Sequence, residues 1–487
     1  MSWERLQYEA RYSRLPEHFY SRVQPEQLPE PYLVHLNPDA ADLIGLAHQE
    51  MTDSSLLDVL SGNRVHPQHE PLAMLYAGHQ FGNWVPQLGD GRAIQLAEVV
   101  GKDQERWALQ LKGSGLTPYF RGGDGRAVLR SSLREYLGSE AMHKLGVPTT
   151  RALSIIGSDL EVYREQIESA AVLLRMSPSF VRFGHFEVFA SRGQSSDIKL
   201  LADHIIEHHY PDLVQREDKY RAFFRRVMIR TAELMAKWQS VGFMHGVMNT
   251  DNMSILGLTI DYGPFGFMEA YQPDHVCNHS DHHARYAYDR QPEIGLWNLY
   301  TLANALVSLI DNDTLKSILD EYGHYYAVHY TELMRHKLGL FGNPREEDAI
   351  LINELLALMQ QSGADFTNTF RALCEMSMDF DGHDKLRDEF IDQKAIDEWL
   401  ERYRMRLEHE TGNNFERRSQ MRRVNPKFIL RNYQAHIAIE KAQRKDFSEV
   451  DRLFKLLQKP FDENAEMERY TRPAPQWAQK LEISCSS

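Results

Sequence analysis

An α+β fold is predicted by three features of the chain: two alternating apolar–polar segments, a glycine-rich loop running into a punctuated helix, and a helix-patterned last third. Ala93–Val100 and Trp107–Lys112 alternate on either side of the charged turn 101–106, which reads as a β-hairpin. With a period of two, Trp107, Leu109 and Leu111 share one face, and Gln110 and Lys112 share the other. The loop over 112–126 leads into a helix at about 127–145, which Gly146 and Pro148 stop. Ala152–Ile156 and Ala170–Leu174 read as strands, giving a small mixed sheet with one helix. Val227, Thr231, Leu234, Trp238 and Val241 recur at helical spacing until Gly242, and 253–260 read as a short hairpin about Gly257. Leu351, Leu355, Leu356, Leu358 and Met359 typify the helical last third.

At 487 residues the chain corresponds to roughly three domain-sized units. Residues 1–70, punctuated by Pro25, Pro29, Pro31 and Pro38 and with a helix near Ala40–Leu46, read as an extension packed on the main domain. The divisions expected after it are a sheet-bearing lobe over 71–177, a mostly helical lobe over 178–330, and a helical region with tail over 331–487. A net charge of −14 argues against nucleic acid or an anionic membrane as partner, so an anionic ligand needs a local cluster of cations. Cys277, Cys374 and Cys485 are too few for a disulfide scaffold and fit a reducing compartment. The first residues carry early acids and no apolar core of a leader, and no apolar run is long enough to span a bilayer. A cytoplasmic location is expected.

The chemistry concentrates in three places. Gln87–Ala93 opens the hairpin with Gly89 and Gly91 beside Arg92, the kind of turn that admits phosphate to backbone N–H groups, although a bare Gly-x-Gly is more often only a turn. Lys112 follows where kinases keep the lysine that pairs nucleotide phosphates, and Glu135, with Glu140 as rival, is placed to orient it. Arg121, Arg126, Arg130, Arg134, Arg175 and Arg182 supply a positive field suited to phosphate. His245–Asn252 has the length of the His-Gly-Asp-x-x-x-x-Asn catalytic loop of small-molecule kinases, and Asp261-Tyr-Gly follows. Asn252 and Asp261 stand as two Mg²⁺ ligands, but Val247 holds the place of the catalytic carboxylate, and Asp251 is its candidate substitute. The pattern predicts a protein-kinase-like bilobal arrangement. The Asp274–His283 stretch, rich in His and Asp, has no regular zinc spacing and reads as a polar loop.

The stretches 76–93, 109–142, 245–269, 291–306 and 425–442, with the terminal Ser-Cys-Ser-Ser, closely resemble the selenoprotein O (YdiU) family over nearly the whole chain. The resemblance implies a pseudokinase-derived protein adenylyltransferase that binds ATP in a flipped orientation and moves AMP onto Ser, Thr or Tyr hydroxyls of proteins. Uridylylation from UTP with manganese is a second implied reaction. By position it implies nucleotide binding by Gly89, Gly91, Arg92, Lys112, Asp124, Gly125, Arg175 and Arg182, with Asp261 shared between nucleotide and metal. It further implies a Lys112–Glu135 ion pair, Mg²⁺ or Mn²⁺ on Asn252 and Asp261, and Asp251 as proton acceptor. Cys485 stands at the position that holds selenocysteine in some members, and a Cys277–Cys485 disulfide is the redox switch expected of such a tail. An ordinary phosphotransferase and an inactive nucleotide-binding module are the alternative readings.

Overall fold

In the computed structural model, which describes residues 3–46, 54–377, 383–478, 481 and 483, short N-terminal segments join the main sheet as strands. They supply β1 (Gln7–Tyr8), β2 (Tyr20–Arg22) and β3 (Tyr32–Leu36), followed by α1 (Pro38–Leu43) and α2 (Ser54–Ser61). Next come β4 (Leu72–Met74), a separate small hairpin of β5 (Gly78–Gln80) and β6 (Asn83–Val85), and the predicted hairpin of β7 (Ala93–Val100) and β8 (Arg106–Lys112). After β9 (Ala127–Val128) and α3 (Leu129–Lys144), β10 (Arg151–Tyr163) and β11 (Ile167–Ser177) complete a nine-stranded antiparallel sheet. Its order is β2-β4-β7-β8-β11-β10-β3, with β1 on β7 and β9 on β11. The sheet is therefore larger than the small mixed one expected. Strands of two to five residues are too short for alternation to be visible in sequence.

Each face of the sheet has its own cover. Trp107, Leu109 and Leu111 bury with Ala41 of α1, Ile44 just after it, and Leu56 and Val59 of α2. On the opposite face Ala108, Ala171 and Leu173 meet Leu133, Tyr136 and Leu137 of α3. Each fully buried leucine is worth about 1.5–3 kcal/mol, so the alternation that predicted the hairpin also fixes its register.

Beyond the sheet the chain is helical: α4 (Phe183–Ser191), α5 (Ser195–His209) and α6 (Lys219–Ser240), then the two-residue strands β12 (Phe243–Met244) and β13 (Gly266–Phe267), then α7 (Gln291–Ala305), α8 (Asn312–Asp320) and α9 (Tyr322–Lys337). The apolar stripe of α6 buries Val227, Leu234 and Trp238. A second core, centred on Trp399 and Tyr403, forms among α9, α10 (Glu347–Ser362), α11 (Phe366–Leu373), α12 (Asp384–Arg387), α13 (Gln393–Leu407) and α14 (Asn414–Val424). The last two helices, α15 (Asn432–Ala442) and α16 (Ser448–Leu457), return to α3, where Phe454 stacks on Tyr136 at 5.6 Å. The C-terminal region thus braces the helix behind the sheet. Among the described residues no helix is long and apolar enough to cross a membrane.

Candidate active site

Between the sheet and the helical part lies a cleft of about 620 Å³. Gly89, Gly91, Arg92, Lys112, Asp124, Gly125, Arg175, Arg182, Asp251, Asn252 and Asp261 all line it, although they come from segments far apart in sequence. Arg121, Arg126 and Val247 line it too. Arg130 and Arg134 do not: Arg130 pairs with Glu168 at 2.9 Å, and Arg134 donates to the Phe265 carbonyl at 2.5 Å.

Packing alone requires glycine at these positions. Gly89 has φ +108°, and a Cβ there would lie 2.6 Å from the Tyr119 ring; at Gly91 it would lie 2.9 Å from the Tyr119 carbonyl. Gly125 crosses Gly115 so closely that a Cβ would meet its carbonyl carbon at 2.2 Å. Between the first two glycines, Asp90 is buried and accepts from the Met74 N–H at 3.1 Å and Gln110 Nε2 at 3.2 Å. Asp124 is fixed at the rim by Arg164, whose two Nη groups reach its carboxylate at 2.8 and 2.9 Å.

Lys112, at the end of β8, donates to Glu135 Oε2 of α3 at 2.5 Å. The rival Glu140 is taken by Arg151, which grips it with two bonds of 2.9 and 2.8 Å. The other oxygen of Glu135 accepts from Arg175 at 2.9 Å, and Arg175 and Arg182 both donate to the Asp261 carboxylate, with Lys112 at 4.0 Å. Burial acts to raise the Asp261 pKa, but Arg175, Arg182 and Lys112 overcome it and hold the carboxyl well below the usual range. Asp261 has φ +57°, a left-handed conformation uncommon outside glycine, which marks a position constrained by its surroundings.

The 245–261 segment is built on backbone contacts. His245 is buried, with Nε2 2.8 Å from the Ile260 carbonyl and its ring stacked on Trp238. Asn252 donates Nδ2 to the Val247 carbonyl at 3.0 Å, leaving its amide oxygen as an acceptor. Residues 253–260 form a tight loop with the single bridge Met253–Thr259, where a hairpin was expected. Their backbone groups bond outward: the Met253 carbonyl accepts from Phe183, Ile255 donates to Val181, and Thr259 is held by 148–150.

Asp251 has a different setting. It is buried, accepts from Gln80 Nε2 at 3.2 Å through one oxygen, and its Oδ1 has no hydrogen-bond partner among the described residues. Burial pushes its pKa up to about 6, against the opposing pull of Arg182 and the Gln80 bond. The small β5–β6 hairpin packs on this loop: the His79 N–H donates to Thr250 Oγ1 at 2.7 Å, and the Phe81 N–H to Asn249 Oδ1 at 2.9 Å. A Cβ on Gly78 would lie 2.8 Å from Thr250 Oγ1, so only glycine lets the hairpin so close. Gln80, Asp90 and Arg164 were not singled out from sequence. The one signal was the repeated Asp-Gly-Arg-Ala at 90–93 and 124–127, which contains Asp90.

One carboxylate (Asp261) and one amide oxygen (Asn252) form a sparse hard-oxygen set, which suits Mg²⁺ or Mn²⁺ completing its shell with phosphates and water. The Asp274–His283 segment buttresses the loop: Asn278 donates to the Gly246 carbonyl at 3.0 Å, and Asp281 accepts from the Arg285 and Tyr286 N–H groups. Among the described residues no cluster of three or more His, Cys, Asp and Glu side chains is placed to hold a metal. Cys277 is buried outside the cleft, near the Met244 carbonyl and against Gly246. Cys485 lies outside the described residues, but the carbonyl of Ile483 accepts from the His279 N–H at 2.9 Å.

The sequence profile of a family described as protein adenylyltransferase SelO matches residues 2–458. A relative from Thioalkalivibrio sulfidiphilus, named protein nucleotidyltransferase YdiU, is 53% identical over 495 residues, covering 99% of each chain. Relatives of the same name from Thiobacillus denitrificans and Myxococcus xanthus are 51% and 49% identical, again over 99% of each chain. With its cleft lined by the cations, carboxylates and glycines just described, the chain belongs to the SelO family of protein adenylyltransferases.

Proposed function

We propose that the chain transfers AMP from ATP to Ser, Thr or Tyr hydroxyls of other proteins, with the sheet-bearing segment as nucleotide lobe of a kinase-like pair and the helical segment as catalytic lobe. The observation that carries this reading is Asp251: a buried carboxyl with one unpartnered oxygen, at the edge of a cation-lined cleft. In the reaction the acceptor oxygen attacks the α-phosphorus, the bond to the β-phosphate bridging oxygen breaks, and pyrophosphate leaves. The hydroxyl proton passes to the Asp251 carboxylate, the role a general base must fill within hydrogen-bond reach. Lys112, Arg175 and Arg182 stabilise charge on the phosphates in a site that needs no reorganisation, and Glu135 orients Lys112. A divalent ion on Asn252 and Asp261 would supply further charge neutralisation when bound. UTP is a second donor that the same phosphate contacts would accept.

Incubation with ATP labelled at the α- or the γ-phosphate tests the reading. Protein-bound label from α alone is expected; label from γ would make the chain a phosphotransferase, and label from neither would make it a binding module. We also propose the Cys277–Cys485 disulfide, supported by the Ile483–His279 contact that brings the tail near Cys277. Peptide mapping of oxidised protein without reductant should recover the crosslinked pair, and mapping that finds both thiols free would remove it.

A further inference from the structure

A second cavity, of about 630 Å³, opens on the far side of the linker and loop that build the first. Its floor is apolar: Leu234, Leu256 and Leu258 with Pro148 and Pro178. Its walls carry Arg11, Arg106, Arg230 and Lys237. Arg11 and Arg106 share Glu9, at 3.0 and 2.7 Å. Arg230 and Lys237 lie a little under two turns apart on α6 and have no carboxylate partner among the described residues. The Arg230 guanidinium rests 4.5 Å over the Tyr210 ring, and Lys237 donates only to the Gly146 carbonyl at 3.0 Å. Glu233, between them, is engaged by His329 at 3.2 Å, and Glu105 sits at the exposed rim. His208 and His209 complete the wall; burial lowers both pKa values, that of His209 to about 3, so neither adds charge at neutral pH. In a protein of net charge −14, two cations that no carboxylate pairs with among the described residues, beside an apolar floor, are a specific feature.

The same two segments serve both cavities. Pro178 belongs to the linker between Arg175 and Arg182, and Leu256–Leu258 belong to the loop between Asn252 and Asp261. Linker and loop are hydrogen-bonded together through Ile255 to Val181 at 3.1 Å and Phe183 to Met253 at 2.9 Å. Gly257 sits directly on Arg230, where a Cβ would lie 2.8 Å from the Arg230 Cβ. A ligand that grips Arg230 therefore bears on the loop whose ends reach the first cleft.

We propose that this second cavity is an effector site for a small amphipathic anion, a carboxylate or phosphate ester on an apolar body, whose charge is taken by Arg230 and Lys237. Its size is that of small-molecule sites, and its apolar floor beside cationic walls suits a ligand with an apolar body and an anionic head. The influence on nucleotide binding rests on the adenylyltransferase reading of the first cleft; the binding itself does not.

Titration calorimetry of the full chain with octyl phosphate and with octanoate tests both parts. One site per chain is expected for at least one of the two, which also tells phosphate from carboxylate, with no binding of octylamine or of inorganic phosphate alone. Arg230→Gln/Lys237→Gln should weaken binding by about tenfold or more, since each replaced cation removes a charge-assisted bond. Should the double variant fail to fold, Lys237→Gln at a half-exposed position provides the same comparison. Saturating octyl compound should change ATP affinity by about fivefold, the lower end of ordinary coupling. Failure of both anions to bind, binding undiminished in the variants, or capture only of an acidic octapeptide would overturn the site. Binding that leaves ATP affinity unchanged would overturn its role as an effector.

Discussion

Asp251 and Asp261 stand at the two ends of one loop, and their surroundings differ at every point. Asp261 is clamped by Arg175 and Arg182 with Lys112 close by, and it is held ionised far below the usual range. Asp251 has one amide donor, one unpartnered oxygen, and a pKa pushed by burial to about 6. Two carboxyls whose environments drive them apart in this way are suited to different tasks. The locked anion can organise cations, phosphate and metal without changing its charge. The loosely held one can take a proton near neutral pH. The proposed reading also accounts for Val247: a carboxylate at that position would not be required if Asp251, later in the same loop, takes the proton.

The largest effect should follow removal of the loosely held carboxyl. Asp251→Ala is expected to lower kcat for AMP transfer by about 10²–10⁴-fold while ATP binding by calorimetry stays near wild type. Wild-type turnover in that variant would end the division of roles. On the clamped side, Lys112→Met should cost about 10²-fold in kcat/KM, the loss usual for one preorganised charge-stabilising donor. Glu135→Gln should fall in the same direction, because Lys112 loses its orienting partner. A smaller effect sharpens the account of the free side. Gln80→Leu removes a bond that lowers the Asp251 pKa, so the acid limb of the kcat–pH profile should move up by about one unit with folding intact. A limb that stays in place would mean that Gln80 does not tune Asp251.

The clamped side was far more legible in sequence than the free one. Lys112, Arg175, Arg182 and Asp261 belong to motifs with characteristic order, and the alternation of β7 and β8 already puts Lys112 on the opposite face from the buried Trp107, Leu109 and Leu111. The sequence favours Glu135 with Glu140 left as rival, because both lie on α3 and only the position of Arg151 on β10 shows which is free for Lys112. Gln80 escaped notice for a similar reason. It sits on a three-residue strand, and its role comes from the close approach of Gly78 to Thr250, a tertiary contact with no local signature. The strands β1–β3 were hidden by their shortness, and the return of α15 and α16 to α3 by distance along the chain.

Stability against pH in two variants tests the contrast between the carboxyls most directly, since it needs neither substrate nor metal. Asp251 has its pKa raised from 3.8 to about 6, so its ionisation destabilises the fold progressively as pH rises through that window. Asp261 has its pKa lowered, so its ionisation stabilises the fold above the ordinary carboxylate range and the benefit is lost only in acid. Denaturant unfolding at pH 7 should therefore show Asp251→Asn more stable than wild type, by up to about 3 kcal/mol, with the gain shrinking toward pH 4. Asp261→Asn should be less stable by about 3 kcal/mol or more, because two buried guanidinium groups lose their counter-charge. Opposite signs are the predicted result. Destabilisation of similar size in both variants at pH 7 would contradict the account.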